Sequence, residues 1–163
     1  MAESLLRCLR ESESVADLFW NLCDFRLLDE EIPDWFAFES GNPFQVIARD
    51  GAGGYFCLYR ITAKQAEGLL YVDSEGQAGT IADSLAAGVQ MMVALPYWRD
   101  CLKFSGGGDI REMQKAQVRL ESDLRQRWSD IEMVRRALYR AFDLVGGRMP
   151  MRRAKSWPNM SLI

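Results

Sequence analysis

Two groups of carboxylates are the residues of this chain best suited to do chemistry or to meet a partner. They are Asp29, Glu30, Glu31 and Asp34 beside Trp35, and Asp73 and Glu75 on a predicted turn. Carboxylates can bind cations, carry the acid and base steps of glycoside cleavage, or face a basic partner. The surrounding sequence helps to choose between these uses.

Neither metal binding nor catalysis is favoured by the spacing of these residues. Asp73-Ser-Glu75-Gly76 lacks the further oxygen ligands and the final glutamate of an EF-hand loop, so a solvated hairpin tip is predicted. Histidine is absent, which removes Ser-His and Cys-His catalysis and the usual zinc sites. Carboxylate pairs for glycoside cleavage can be distant in sequence, and no pattern here points to one. We expect no catalytic residue, metal ion or cofactor, and no enzyme activity.

Two glycine-rich segments resemble phosphate-binding loops only in composition. Gly51 to Gly54 links two predicted strands and lacks both the G-x-G-x-x-G pattern and a following Gly-Lys-Ser/Thr, so it is predicted to be a hairpin turn. Gly106 to Gly108 precedes a helix, where free N–H groups can hold an anion. Asp109 at the cap would occupy those donors and repel a phosphate, so a connector before a capped helix is predicted.

Trp98 is a further candidate for partner binding. It lies in the segment Tyr97-Trp98-Arg99-Asp100, directly after Pro96. Tryptophan, tyrosine and arginine dominate binding hot spots, which favours a recognition surface. The alternative is that Tyr97 and Trp98 seal the end of the sheet under the C-terminal helices. Both interpretations stay open at this point.

The composition indicates one domain followed by a basic tail. A chain of 163 residues, of which 48% are hydrophobic, can bury one sizeable core, which we assign to residues 1–147. Residues 148–163 carry four basic side chains, two prolines and no acid. This tail is predicted to be flexible alone, or to fold back on the acidic N-terminal part.

The charge of the chain is concentrated near its N-terminus. The formal net charge is −3, which argues against a general nucleic-acid partner. Residues 1–41 contain ten acidic and three basic residues, a local charge of −7. An acidic part of this kind can dock a basic partner, or it can simply keep a cytoplasmic protein soluble.

Cysteine usage predicts a reducing, cytoplasmic location. The four cysteines form no C-x-x-C pair, and charged residues interrupt the N-terminus where a signal peptide would be apolar. Cys23 and Cys57 lie in apolar helical and strand patterns, so both are predicted to be core residues rather than nucleophiles. No uninterrupted apolar run reaches about 18 residues, so no membrane contact is predicted.

Apolar periodicity predicts helices first and a sheet next. Helical spacing over residues 2–23 predicts one broken helix or two short ones. Alternating apolar and aromatic runs then predict four strands, at about 44–49, 54–61, 68–73 and 78–82. The reversals between them fall at 50–54, 62–68 and 74–77. They are short enough to keep neighbouring strands antiparallel.

Further helices complete the predicted fold. Asp83 is expected to cap a helix that ends near Leu95 and lies across the sheet. Capping boxes precede two apolar stripes in residues 109–145. The boxes are Asp109 with Glu112 and Ser129 with Glu132; the stripes are Ile110, Met113, Ala116, Leu120 and Leu124, then Ile131, Val134, Leu138, Phe142 and Val145. The predicted fold class is α+β, a twisted antiparallel sheet of four or more strands backed by helices, with a C-terminal helical hairpin.

The order of these segments resembles that of a known family. After the N-terminal helices come Phe-x-x-Ile-Ala-Arg-Asp-Gly-Ala-Gly-Gly-Tyr-Phe, Leu-Tyr-Val-Asp-Ser-Glu-Gly and Ile-Ala-Asp-Ser-Leu-Ala-Ala-Gly. Over residues 1–95, this pattern resembles the SMI1/KNR4-like family, also called the SUKH superfamily. The resemblance implies an α+β domain, with a twisted antiparallel sheet backed by helices, that binds proteins without catalysis.

Many bacterial members of that family are immunity proteins that neutralise a cognate toxin, often a nuclease or deaminase, and a fungal branch regulates cell-wall synthesis and stress signalling. The resemblance therefore implies an immunity protein with a protein toxin as its partner. For a nuclease toxin, either group of carboxylates would imitate the nucleic-acid backbone. The alternatives are a regulatory scaffold, a small-molecule-binding module of the same fold, or an enzyme that uses carboxylates.

Overall fold

The structure, a computed structural model, describes residues 2–28, 44–61, 66–104 and 109–144. The helices of this part are α1 (Ala2–Glu11), α2 (Glu13–Cys23), α3 (Leu85–Ala94), α4 (Trp98–Lys103), α5 (Ile110–Arg127) and α6 (Ile131–Ala141). Its strands are β1 (Arg26–Leu27), β2 (Phe44–Arg49), β3 (Tyr55–Ile61), β4 (Ala66–Val72) and β5 (Ala78–Ala82). These elements confirm the α+β fold class.

The sheet is an antiparallel meander, in which each strand pairs with its neighbour in sequence in the order β1-β2-β3-β4-β5. The predicted turns at 50–54 and 74–77 are confirmed between β2 and β3 and between β4 and β5. Residues 62–65 of the third predicted reversal lie outside the described residues. Strand β1 was not predicted, because two residues are too few to show an alternating pattern.

The main core lies between one face of the sheet and the helices. Phe56 of β3 and Leu69 of β4 are fully buried there, together with Phe19 of α2 and Leu85 of α3. Helix α3 approaches the sheet closely because Gly88 has no side chain; a β-carbon at this position would overlap Leu69. The opposite face of the sheet carries a smaller buried cluster. It consists of Val46, Cys57, Leu70 and Val72.

The ends of the helices agree closely with those predicted from the sequence, except for two N-cap residues. Ser12 separates α1 from α2, as predicted for two short helices. The cap of α3 is Ser84 rather than Asp83, because the Ser84 hydroxyl accepts the Ala87 N–H at 3.2 Å. The second correction concerns α6, whose N-cap residue is Asp130 rather than Ser129.

The C-terminal helices also differ in burial from the prediction. Asp109 caps α5 as expected, since its carboxylate accepts two backbone N–H groups of the first turn. Met113 is buried, but Ile110 is 51% exposed, so the predicted stripe of α5 faces the core only in part. The stripe of α6 is buried at Ile131, Val134, Leu138 and Phe142. Val145 and the tail 148–163 lie outside the described residues.

A buried arginine joins α3, α5 and α6. Arg135 donates to both carboxylate oxygens of Glu121 at 2.7 and 2.9 Å, and to the carbonyls of Val93 and Ala94 at 3.2 and 3.1 Å. A second ion pair joins Arg125 of α5 to α6. The paired positions are 121 with 135 and 125 with 132. Residue numbers rise along α5 as they fall along α6, which confirms an antiparallel helical hairpin.

Replacing Glu121 by glutamine is expected to lower stability at neutral pH and to remove one source of acid sensitivity. The hydrogen bonds from Arg135, and with them that from Tyr97, lower the Glu121 pKa from 4.5 to about 2. As the pH falls below about 4.5, the unfolded chain takes up a proton before the folded chain does. The stabilising effect is therefore complete above about pH 4.5 and is lost towards pH 2.

Urea unfolding at pH 7 and at pH 3 measures this effect. The difference in free energy of unfolding between wild type and E121Q should be smaller at pH 3. The matched control is E112Q, which changes an exposed glutamate of the same helix. Equal differences at the two pH values would contradict the assignment of this acid sensitivity to Glu121.

Candidate functional site

The residues predicted to bind a partner lie in three different places. The first group lies outside the described residues: Asp29, Glu30, Glu31, Asp34 and Trp35. Asp73 and Glu75 lie on the β4–β5 turn, which is mostly exposed. Trp98 begins α4 and lies in the interior.

The β4–β5 turn is held in one shape by Asp73. One oxygen of its carboxylate accepts the N–H groups of Glu75 and Gln77, at 3.0 and 2.8 Å. The backbone N–H of Asp73 bonds to Gln77, and the N–H of Gly76 bonds to Asp73, at 2.9 and 3.1 Å. Gly76 has a φ of +81°, a conformation that glycine adopts without strain. Asp73 therefore shapes the predicted hairpin tip, while Glu75 projects an exposed carboxylate from it.

The β2–β3 turn is also fixed by an aspartate side chain, and it lies next to this tip. One oxygen of Asp50 accepts two backbone N–H groups within its own turn, at 2.9 and 2.7 Å. The turns touch where Gly53 faces Ser74, because a β-carbon at Gly53 would lie 3.6 Å from that of Ser74. We call residues 50–54 and 73–77 together the turn surface.

Asp50 of the turn surface also belongs to a cluster of four charged and polar side chains. Asp50 accepts a hydrogen bond from the Tyr71 hydroxyl at 2.6 Å and forms an ion pair with Arg99. Arg99 also donates to Asp24 at 2.7 Å. We call Asp24, Asp50, Tyr71 and Arg99 the Asp50 cluster. It joins the end of α2, the β2–β3 turn, strand β4 and helix α4.

Local sequence explains why these groups can meet. Asp24 follows α2 in the left-handed conformation, with φ 53° and ψ 49°, which turns the chain at the end of the helix. Its carboxylate then accepts the N–H of Gly51 at 2.9 Å. Gly54 has no side chain, and a β-carbon there would overlap the Tyr71 ring. The absence of that carbon leaves room for the Tyr71 hydroxyl to reach Asp50.

The protonation of the Asp50 cluster suits a structural role. Burial, together with the hydrogen bond to Asp50, raises the pKa of Tyr71 to about 12. Burial opposes the charge of Arg99, but its hydrogen bonds to Tyr71 and Asp24 raise its pKa above the ordinary value. At neutral pH, the phenol is a protonated donor and the guanidinium is charged. Neither group is poised to exchange a proton near neutral pH.

The burial of Trp98 favours the interpretation in which it seals the end of the sheet over the one in which it contacts a partner. Its side chain is only 2% exposed, so it offers a partner no contact area. The ring packs edge-on against Tyr71, with centroids 5.2 Å apart, and the Arg99 guanidinium lies 5.7 Å from its centre. Trp98 therefore fills the space between α4 and the sheet, which agrees with the sealing alternative.

Three of the four cysteines are protonated residues of the interior. Cys23, Cys57 and Cys101 are buried, and Cys8 is half-buried; all four are free thiols. Burial raises the pKa of Cys57 to about 12 and that of Cys101 to about 11, and it also raises the pKa of Cys23. The prediction that Cys23 and Cys57 are core residues is confirmed. Thiols with such pKa values are poor nucleophiles at neutral pH.

Sequence reasoning missed the Asp50 cluster. Asp50 was assigned only to a turn, and Arg99 only to the segment around Trp98. The bonds of the cluster link residues that are 21 to 75 positions apart. Spacing within a single sequence does not pair residues at such distances. The only available signals were an aspartate before a glycine-rich turn and an arginine next to a core tryptophan.

Comparisons with protein-family models, with curated proteins and with solved structures each found no match for this chain. The resemblance to the SMI1/KNR4-like family therefore stays a prediction. Within the described ranges, no helix is long and apolar enough to cross a membrane. The same ranges contain no group of three or more cysteines and carboxylates arranged to hold a metal ion.

Replacing Arg99 by methionine is expected to destabilise the protein by about 3 kcal/mol, because the buried Asp50 carboxylate would lose its cationic partner. The measurement is urea unfolding at pH 7. The matched control is R119M on α5, where the arginine is exposed and a change of less than about 0.5 kcal/mol is expected. Equal stability of the two variants would show that the cluster does not hold α4 in place.

Proposed function

We propose that this protein is a non-catalytic protein-binding domain that acts as an immunity protein of the SMI1/KNR4-like type. In this proposal, it binds a cognate bacterial toxin in the cytoplasm and blocks the toxin's active site. The turn surface is the single observation that carries the proposal. It is an internally fixed part of the molecule that carries the exposed carboxylate of Glu75 and the half-buried carboxylate of Asp73.

The turn surface has the properties that protein recognition requires. Both turns are fixed by aspartate side chains, so they lose little conformational freedom when a partner binds. Glu75 is exposed at the tip, and the carboxylate of Asp73 lies beside it. A fixed negative charge steers a basic partner and sets its orientation. A nuclease toxin has this chemistry, because its substrate site must attract phosphates.

Three further observations support the proposal. The observed architecture, an antiparallel sheet backed by helices, agrees with the fold that the family resemblance implies. The buried ionisable groups of the Asp50 cluster bind one another and hold the fold together. All four cysteines are free thiols, which is the state that a reducing compartment such as the cytoplasm maintains.

The proposal expects a toxin to be encoded beside this gene, and the test is binding to that toxin and protection against it. The toxin domain, inactivated by substitution in its own active site, is titrated with the purified protein by calorimetry. We expect a one-to-one complex, and we expect co-expression with the active toxin to restore growth. Absence of both binding and protection would overturn the immunity proposal.

Removing acidic charge is expected to slow association with that toxin and to weaken its dependence on salt. Two variants test the two groups of carboxylates. They are E75Q, and the combination D29N, E30Q, E31Q and D34N. Association rates are measured at 50 and 300 mM NaCl, with E112Q on α5 as the matched control for one lost charge. Rates equal to those of wild type would remove the corresponding group from the binding surface.

A further inference from the structure

Two arginines face each other across the first strand pair. The register of β1 and β2 places Arg26 directly opposite Arg49. Side chains directly opposite each other in an antiparallel pair share a face and are about 5 Å apart at their β-carbons. Both arginines are exposed. Like charges in this position repel each other, so the pair is unfavourable in the free protein unless an anion neutralises it.

No carboxylate of the described residues neutralises this pair. The nearest acids in sequence, Asp24 and Asp50, already accept bonds from Arg99 and from backbone N–H groups. Arg99, Arg125 and Arg135 all form ion pairs within the fold, whereas neither Arg26 nor Arg49 does so with a described residue. Within the described ranges, these two opposed and exposed arginines therefore form a positive pair without a neutralising carboxylate.

An aromatic ring holds one of these arginines in position. The guanidinium carbon of Arg26 lies 4.5 Å from the centre of the Trp20 ring. Such a contact fixes the guanidinium and leaves its N–H groups able to bind an anion. The next residue in the same row of the sheet is Tyr55, the cross-strand partner of Arg49. Arginine and tryptophan together are typical of binding hot spots.

We propose that Trp20, Arg26 and Arg49 form a docking site for an acidic segment of a protein partner. Guanidinium groups bind carboxylates through two parallel hydrogen bonds, and two neighbouring arginines can engage two carboxylates of one segment. A long polyanion is disfavoured, because the exposed carboxylate of Glu75 and the half-buried one of Asp73 lie on turns at the same end of the sheet. The net charge of −3 also opposes a long polyanion.

This inference rests on the proposed function only in taking the occupant to be a protein. It adds a positive site beside the acidic turn surface, since Arg49 immediately precedes the 50–54 turn. A partner that carries one basic and one acidic patch would satisfy both sites in a single orientation. A partner with the same charge on both patches would meet repulsion at one of them.

The test uses a fluorescein-labelled peptide of six glutamates, with its binding followed by fluorescence anisotropy at 20 mM NaCl. Wild type is expected to bind the peptide, and R26E/R49E is expected to bind at least tenfold more weakly. The matched control is R111E/R119E on α5, which makes the same change in net charge at two exposed arginines. This control should lose less than threefold.

Three results would overturn the proposal. The first is equal loss of binding in both double variants, which would show that only net charge matters. The second is tighter binding of a labelled ten-nucleotide DNA strand than of the peptide. The third is a lower urea midpoint for R49Q than for wild type, which would show an internal partner; relief of repulsion predicts an equal or higher midpoint.

The peptide and the toxin are separate probes. Failure of the peptide to bind removes the arginine site and leaves the proposed function to be judged by the toxin titration. Failure of the toxin to bind removes the proposed function, while peptide binding still reports on the arginine site.

Discussion

The buried carboxylate of Asp50 is the constraint on which the candidate site depends. Its side chain has no exposed area, so its negative charge has to be met by donors inside the protein. Its own turn supplies two backbone N–H groups, strand β4 supplies Tyr71, and helix α4 supplies Arg99. One charge therefore sets both the shape of the β2–β3 turn and the position of α4. The turn surface contains Asp50, and Arg49 of the Arg26–Arg49 pair directly precedes it in sequence.

Arg135 is a buried cation, and its charge likewise has to be met by partners inside the protein. A guanidinium has five N–H donors, and here they meet the carboxylates of Glu121 and Glu132 and two carbonyls at the end of α3. Those carbonyls belong to the last turn of the helix, where backbone acceptors lack helical partners. The same side chain therefore completes α3 and fastens the helical hairpin to it. Each buried charge in this way specifies an arrangement of elements that apolar packing alone leaves open.

The sequence predicted the features that rest on a repeating pattern. It failed where a single side-chain contact determines the structure. Strands at 44–49 and 78–82 and the paired N-terminal helices follow from periodicity, and their positions are confirmed. Ser84 and Asp83 are both good cap residues, so no local rule chooses between them. Trp98 is a residue type common to cores and to binding surfaces, and only its burial distinguishes the two roles. The Asp50 cluster depends on four distant side chains, which a single sequence does not associate.

The meander order of the sheet also determines the sequence separation between the strands that must pair during folding. Each strand pairs with the strand before it, and β2 to β5 are joined by short connections, so this part has low contact order and a small entropy of loop closure. Helices α1 and α6 are far apart in sequence and meet where Cys8 of α1 donates to the carbonyl of Ala141 of α6, 133 positions away. The topology therefore favours a folding nucleus in the hairpins, with α1 and α6 packing against the sheet afterwards.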